Sequence, residues 1–436
     1  MEYKVSRYVY FVSEMMRTIV YSTNTQGVFI LDSGETAIFR QIIEKEKFAI
    51  QEYEKYDFIK GLKSSGLLVP SNINEIEEVL LRYEQSLYES DILHLTLFVT
   101  DKCDFNCSYC FVDKTKQNTM DDNVQKKILA MVGKKIKQNH YKRLDISWFG
   151  GEPLLIIDLI TDMMAKFKNI CIENNIILTA SIVTNGYTLT LNNFLKLFNA
   201  GIRQYQVTFD GDPELHNEFR RHYIYGDTFN TIFKNILAIR RTNLDGFNMT
   251  IRCNYTHENI NQINQLINMY IKHFHRDGRF DFAIKPIVNY DSEDKKELIT
   301  IYNGRIADLC YIVKQHPILK DLILHSLKKK NNWCMSRSPH SLVINALGQI
   351  FTCDSSINNK QYMTGTIDNE GTICTTELYQ HYMSYDLNEK CKRCKRLPLC
   401  YGSCVKIFKK INVAPCAYTD NDIEEILYTI LLSEGE

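Results

Sequence analysis

Leu97-Phe98-Val99-Thr100-Asp101-Lys102-Cys103-Asp104-Phe105-Asn106-Cys107-Ser108-Tyr109-Cys110 sets three cysteines at CxxxCxxC spacing directly after an apolar run that reads as a β-strand. Three thiolates hold only three irons of a cubane cluster. Ordinary electron-transfer clusters use four cysteines, so the trio would leave one iron open to a ligand that is not protein. Read alone, the trio fits an iron-sulfur site, part of a zinc site or a cluster of buried thiols.

Outward from this stretch the chain alternates strand, loop and helix. Candidate strands are Leu93–Val99, Arg143–Trp148, Leu178–Val183, Arg203–Phe209, Phe247–Cys253 and Phe280–Ile287, with helices such as Asp121–Asn139, Ile156–Asn174 and Phe229–Arg241 between them. Six βα units of this spacing predict an α/β domain, a partial (β/α)6 TIM-like barrel over 93–315. Reactive groups in such barrels gather in the loops after the strands. Here those loops carry the cysteine trio, then Gly150-Gly151-Glu152-Pro153, Thr184-Asn185-Gly186 and Asp210-Gly211-Asp212-Pro213.

Before the barrel, short alternating runs over residues 6–31 precede helical patterns at Glu35–Glu46 and Tyr56–Leu62. They predict a small α+β module over 1–85, joined through the acidic, helical Asn74–Glu89 stretch and a linker ending at 86–92. The remaining block, 316–436, is cysteine-rich: Cys334 to Cys416 hold eight of the fourteen cysteines.

The chain's 436 residues suit two to four domains, at roughly 150 residues each. Lys+Arg and Asp+Glu both count 52, so no global basic field supports a nucleic-acid or anionic-membrane role. Glu2, Lys4, Arg7 and Glu14 interrupt the N-terminus, which therefore lacks the apolar core of a secretion signal, and no stretch has the ~20 apolar residues of a membrane span. These features predict a cytosolic protein with no membrane or nucleic-acid partner, in which so many cysteines serve as metal ligands rather than disulfides.

The CxxxCxxC trio with an aromatic before its last cysteine, followed by a GGEP loop, resembles the radical S-adenosylmethionine (SAM) superfamily over roughly residues 93–290. The resemblance implies that the amino and carboxylate groups of SAM chelate the open iron held by Cys103, Cys107 and Cys110. It further implies that Tyr109 lies by the adenine, that Gly150, Gly151 and Glu152 meet the methionyl amino group, and that Thr208 with Arg220 binds ribose or carboxylate. Asn185 is a further cofactor candidate. Paired glycines let backbone approach a ligand, and an arginine fork suits a carboxylate. Singly, each residue also reads as a turn, a strand residue or a solvated charge.

Cys334, Gly348, Cys353, Cys391, Cys394, Cys400, Cys404 and Cys416 together resemble the SPASM extension, which binds two auxiliary clusters; a zinc ribbon on Cys391, Cys394, Cys400 and Cys404 is the competing reading. The resemblance implies an outer cluster on Cys391, Cys394, Cys400 and Cys416, and an inner one on Cys334, Cys353 and Cys404. Some relatives carry a fourth inner ligand six residues before the first; Lys328 stands there, so Cys374 or Cys310 fills the place or the iron is open. Cys171 and Cys253 read as buried apolar residues.

The N-terminal module resembles the winged-helix leader-recognition domains of peptide maturases, which implies an exposed strand edge for an extended peptide. Propping the barrel is the plainer role for it, and DNA binding, which no basic excess supports, is the weakest. The expectation is a radical SAM/SPASM maturase with three [4Fe-4S] clusters, a leader-bearing precursor peptide as substrate and a reducing electron-donor protein as partner. It would abstract hydrogen and close a thioether or carbon-carbon crosslink, the second electron leaving through the auxiliary clusters. The rival is an anaerobic sulfatase-maturing enzyme, in which Asp354 would be the general base. An iron-sulfur or zinc scaffold or sensor is the non-enzyme alternative.

Overall fold

Period-two burial organises the central strands. A computed structural model describes residues 1–433 apart from 15, 114, 290–294, 330–333, 358, 403 and 412–415. The chain packs as two compact units: Tyr88–Asp291 with Cys334–Tyr385, and Met1–Leu87 with Ser292–Trp333 and Asp386–Glu436.

The first unit is built on parallel strands β1 (Ile92–Phe98), β2 (Arg143–Phe149), β3 (Ile177–Thr184), β4 (Gln204–Phe209), β5 (Asn248–Tyr255) and β6 (Phe280–Pro286), paired in that order. Leu93, Leu95 and Leu97 of β1 and Leu144, Ile146 and Trp148 of β2 are buried, and the residues between them are only partly so. Those alternate positions are polar, as at Thr96, Asp145, Ser147 and Thr179, and suit the inner face of an open barrel; Asp145 accepts from Thr179 Oγ1 at 2.6 Å and meets His94 Nδ1 at 3.1 Å. Helices such as Asp122–Gln138, Ile157–Glu173 and Thr228–Arg240 connect the strands. The six expected strands and these helices lie within two residues of their sequence-derived bounds.

The sheet also continues past the barrel. β7 (Ser341–Ile344) pairs parallel to β1, and β8 (Gln349–Phe351), β9 (Met363–Ile367) and β10 (Ile373–Thr375) follow antiparallel, giving ten strands. The 316–436 block is thus divided: Cys334–Tyr385 extends the barrel sheet, and the rest joins the other unit.

In that second unit a meander of Val9–Glu14, Arg17–Ser22 and Val28–Leu31 packs with the helices Ser33–Ile43 and Asp57–Ser64 around Val20, Leu31, Phe39, Ile42, Ile59 and Leu62. Asp32 caps the first helix, accepting from Glu35 N while the Glu35 side chain returns to Asp32 N. Glu2–Val5, absent from the sequence reading, is the middle of a separate three-stranded sheet. The helix Glu75–Tyr88 is more than a connector: Val79, Tyr83 and Leu87 bury against Tyr8, Leu387, Leu397 and Tyr401. The N-terminal module therefore shares a core with the C-terminal cysteine segment.

Candidate functional site

All six barrel strands are parallel, so their C-terminal ends share one edge of the sheet. There the loop after β2 lies directly on the cysteine loop after β1. Gly151 N donates to Thr100 O and Glu152 N to Lys102 O, each at 2.8 Å. A Cβ on Gly151 would stand 2.3 Å from Lys102 O, and one on Gly150, whose φ is +153°, 2.6 Å from Thr100 O. The paired glycines are thus required by contact between two backbones.

Glu152 is fully buried and binds three donors: Leu154 N at 3.0 Å, Thr184 Oγ1 at 2.7 Å and Asn185 N at 2.7 Å. Burial outweighs these donors and pushes its carboxyl up to about 7. Asn185 continues the chain of contacts, donating from Nδ2 to Asp104 Oδ1 at 2.7 Å and accepting from Tyr187 N at 2.8 Å. Glu152 and Asn185 therefore lash the ends of β2 and β3 to the cysteine loop.

A second buried group surrounds Tyr109. Its hydroxyl donates to Asp210 Oδ2 and accepts from Arg220 Nη1 at 2.8 Å and Asn254 Nδ2 at 3.1 Å. Arg220 opens the short strand Arg220–His222, which pairs antiparallel with Phe105–Cys107 and sets Arg220 opposite Cys107. Burial works against the Arg220 charge, but the oxygen of Tyr109, the Cys107 sulfur and the Asp210 carboxylate hold its pKa well above the usual value. Burial in turn raises Tyr109 and Asp210. Tyr109 and Arg220 are thus brought together, and each already has protein partners. Thr208 is buried on β4, in register with Arg252 of β5.

Asp210 and Asn254 were not among the sequence candidates. Asp210 stands in a quoted loop motif, directly after a strand, and that position was the available signal; Asn254 had none.

Cys103, Cys107 and Cys110 are partly buried, and Phe105 N points at Cys103 Sγ at 3.4 Å. In the other unit, Cys391 lies on Glu389–Lys392 and Cys400 ends Leu397–Cys400. Burial raises the Cys391 thiol, and Cys394 and Cys416 raise it further, so these three sulfurs are electrostatic neighbours. Cys404 belongs to the same unit, while Cys334 and Cys353 belong to the barrel unit. Asp354 turns back on its neighbours, its Oδ1 accepting from Ser355 N at 2.7 Å and facing Cys353 Sγ at 3.4 Å. Cys310 is buried in the helix Lys295–Gln315, where burial pushes its thiol up to about 12, an environment unlike a ligand's. Cys374 is exposed on β10; Cys171 and Cys253 are buried.

Residues 97–269 match the family model described as Radical SAM superfamily. This stretch is a radical SAM domain. Enzymes with such a domain use SAM and a [4Fe-4S] cluster. A radical SAM cyclopropyl synthase, TigE, from Paramaledivibacter caminithermalis is 24% identical over 391 residues, covering 83% of this chain and 79% of that protein. A cysteine-type anaerobic sulfatase-maturating enzyme from Clostridium perfringens is 22% identical over 341 residues, covering 69% of this chain and 85% of its own. Among solved structures, native anSMEcpe with bound AdoMet matches at TM-score 0.59 and 17% identity, covering 79% of this chain and 99% of that one. Streptococcus suis SuiB bound to precursor peptide SuiA matches at TM-score 0.50 and 18% identity, covering 94% and 97%. These structural likenesses concern the fold.

The donor set of the barrel site fits a cluster: three thiols on one loop, with an arginine across from Cys107 and a backbone N–H at Cys103 to offset thiolate charge. Among the described residues, no three His, Cys, Asp or Glu side chains form a cage for a single metal ion.

Two outcomes follow from the site's packing. Gly151→Ala drives a methyl group into backbone oxygens that no side-chain rotation relieves; the expected result is loss of one cluster's ~4 irons, counted per chain after anaerobic reconstitution. Glu152→Gln turns an amide N–H₂ toward backbone donors and should cost ~1–3 kcal/mol in urea unfolding. The folded chain keeps a proton on Glu152 that the unfolded one releases, so this group's contribution to stability falls as pH rises from about 4.5 to about 7 and is level above. Melts across that window should show the fall in the wild type and lack it in Glu152→Gln.

Proposed function

We propose that this enzyme modifies a ribosomally made precursor peptide, abstracting hydrogen from one residue and closing an intramolecular thioether or carbon-carbon crosslink. The observation that carries this reading is an open strand edge in the N-terminal module. Val28–Leu31 ends the meander, and among the described residues no strand pairs with its far side. Ser22 N donates to Gly27 O at 3.0 Å, and antiparallel ladders alternate, so Phe29 and Leu31 turn their amides inward while those of Val28 and Ile30 face outward. Val28 and Ile30 also expose their side chains, at 49% and 40%. The meander's opposite edge is obstructed: Lys395 Nζ reaches Val9 O at 3.5 Å. An extended leader adding beside Val28–Leu31 would gain main-chain hydrogen bonds and two apolar contacts. The breadth of the match to SuiB, whose structure holds a precursor peptide, supports the same reading.

In this proposal Cys103, Cys107 and Cys110 hold the SAM-binding cluster, Gly150–Glu152 and Asn185 fix the loop beside it, and Thr208, Tyr109 and Arg220 line the cofactor's place. Bound there, cluster and SAM would supply a 5′-deoxyadenosyl radical able to take hydrogen from a C–H bond. The residues of this chain contribute loop rigidity, burial away from water and a fixed cation at Arg220. Cys391, Cys394, Cys400 and Cys416 would hold an outer auxiliary cluster, and Cys334, Cys353 and Cys404 an inner one, with Cys374 or an open iron completing it. The setting would be the cytosol, with an electron-donor protein.

Sulfatase maturation is the second reading, favoured by the TM-score of 0.59 to anSMEcpe; Asp354 would then serve as base. That match leaves out part of this chain, whereas the match to SuiB covers 94% of it.

Three clusters predict ~12 irons per chain. Replacing Cys103, Cys107 and Cys110 together by Ala should remove ~4 of them and abolish 5′-deoxyadenosine formation; reductive SAM cleavage by the triple variant would refute the first-cluster assignment. Cys400→Ala should spare SAM cleavage and lower peptide modification, scored by mass spectrometry of the peptide.

The strand edge has its own test. Ile30→Pro deletes one outward amide without touching the inner ladder, so leader binding, followed by fluorescence anisotropy, should weaken ~10-fold while melting temperature and uncoupled SAM cleavage hold. Unchanged anisotropy would return the module to structural support and move weight toward sulfatase maturation.

A further inference from the structure

The group around Tyr109 joins four segments that are far apart in sequence: the cysteine loop at Tyr109, the end of β4 at Asp210, the ribbon at Arg220 and β5 at Asn254. All its members but Tyr109 expose 7% or less of their surface. Two members have a further contact, Asn254 through its side chain and Asp210 through its backbone amide. Arg252 Nε donates to Asn254 Oδ1 at 2.8 Å, which turns the amide N–H₂ toward Tyr109, and Asp210 N donates to His216 Nδ1 at 3.3 Å. Because His216 Nδ1 accepts a backbone N–H, this imidazole is neutral there. The charges of Asp210 and Arg220 therefore offset one another, with the phenol between them.

Two features set this group apart from a structural plug. The first is its place on the cysteine loop: Tyr109 adjoins Cys110, and Arg220 stands in register with Cys107, so the group grips both flanks of the same pair of thiols. The second is unspent hydrogen-bonding capacity. Asp210 Oδ1 and Arg220 Nε are buried without a hydrogen-bond partner, whereas a group that only fills a core satisfies its polar atoms.

We infer that Asp210 and Asn254 are positioning residues for the cofactor: they fix Tyr109 and Arg220 as one unit, so that the cysteine loop and the arginine keep the spacing SAM requires. They act through Tyr109 rather than by touching the reacting atoms. Glu152 and Asn185 hold the opposite side of the loop, so the two groups would share the work of keeping it in place.

The test uses the full-length, reconstituted enzyme with SAM itself as probe, comparing Tyr109→Phe, Asp210→Asn and Asn254→Ala with the wild type. Four quantities are read: iron per chain, melting temperature, SAM affinity by equilibrium dialysis, and the change that SAM causes in the electron paramagnetic resonance spectrum of the reduced cluster. Tyr109→Phe should keep iron and melting temperature, and Asp210→Asn, which leaves the buried Arg220 charge uncompensated, should keep iron while its melting temperature falls; both should bind SAM ~10-fold more weakly and show an incomplete SAM-induced spectral change. Asn254→Ala should shift the same two SAM readouts in the same direction by less. Wild-type affinity and spectral change in Tyr109→Phe and Asp210→Asn would overturn the inference. Loss of iron and melting temperature in step with SAM affinity would overturn it as well, because a core plug predicts that pattern.

Discussion

Two backbone hydrogen bonds, from Gly151 and Glu152 to the carbonyls of Thr100 and Lys102, are the constraint on which the site depends. A loop carrying three cysteines has many conformations, and ordering each residue costs ~1–2 kcal/mol of backbone entropy. Pairing it with a neighbouring loop offsets part of that cost. The approach is close enough that a methyl group on either glycine would collide with a carbonyl oxygen, which accounts for two consecutive glycines at the end of a strand otherwise rich in large side chains.

Side chains then secure what the backbone brings together. On one flank a buried carboxylate gathers donors from two loops, and on the other a phenol gathers an arginine, an amide and an aspartate. Both groups place ionisable residues where water cannot solvate them, a costly arrangement unless partners are present. The sheet beneath makes this feasible. Its strands are anchored by large residues such as Trp148, Ile182 and Val207, so the strand ends act as fixed mounts for the polar loops.

Much of this was legible in the sequence, for identifiable reasons. Alternating burial at Leu93, Leu95 and Leu97, or Leu144, Ile146 and Trp148, is a local signal, and regular βα spacing turns it into a barrel. The cysteine trio and the GGEP loop are short, contiguous motifs. What stayed hidden depends on distant residues meeting. Ser341–Ile344 extends the barrel sheet by pairing with β1, a partner far away in sequence. Asn254 matters through its distance to Tyr109, and nothing in its own neighbourhood marks it. Arg220 was visible as a cation after β4, but the aspartate and phenol that hold it were not paired with it until the loops were folded. Glu75–Tyr88 carries an ordinary helical pattern, and only the contact of Tyr83 with Tyr401 shows that its apolar face belongs to a core shared with the C-terminal segment.

That shared core has a consequence for how the protein is made. Tyr8, Val79, Tyr83 and Leu87 are synthesised well before Leu387, Leu397 and Tyr401, which cover them. At ~5–20 residues per second on the ribosome, the N-terminal segment waits tens of seconds with an apolar face uncovered. The barrel strands emerge during that interval and can pair among themselves. The nascent chain thus offers chaperones a long-lived hydrophobic target in this segment, and premature termination anywhere before Leu387 would leave that face exposed for good.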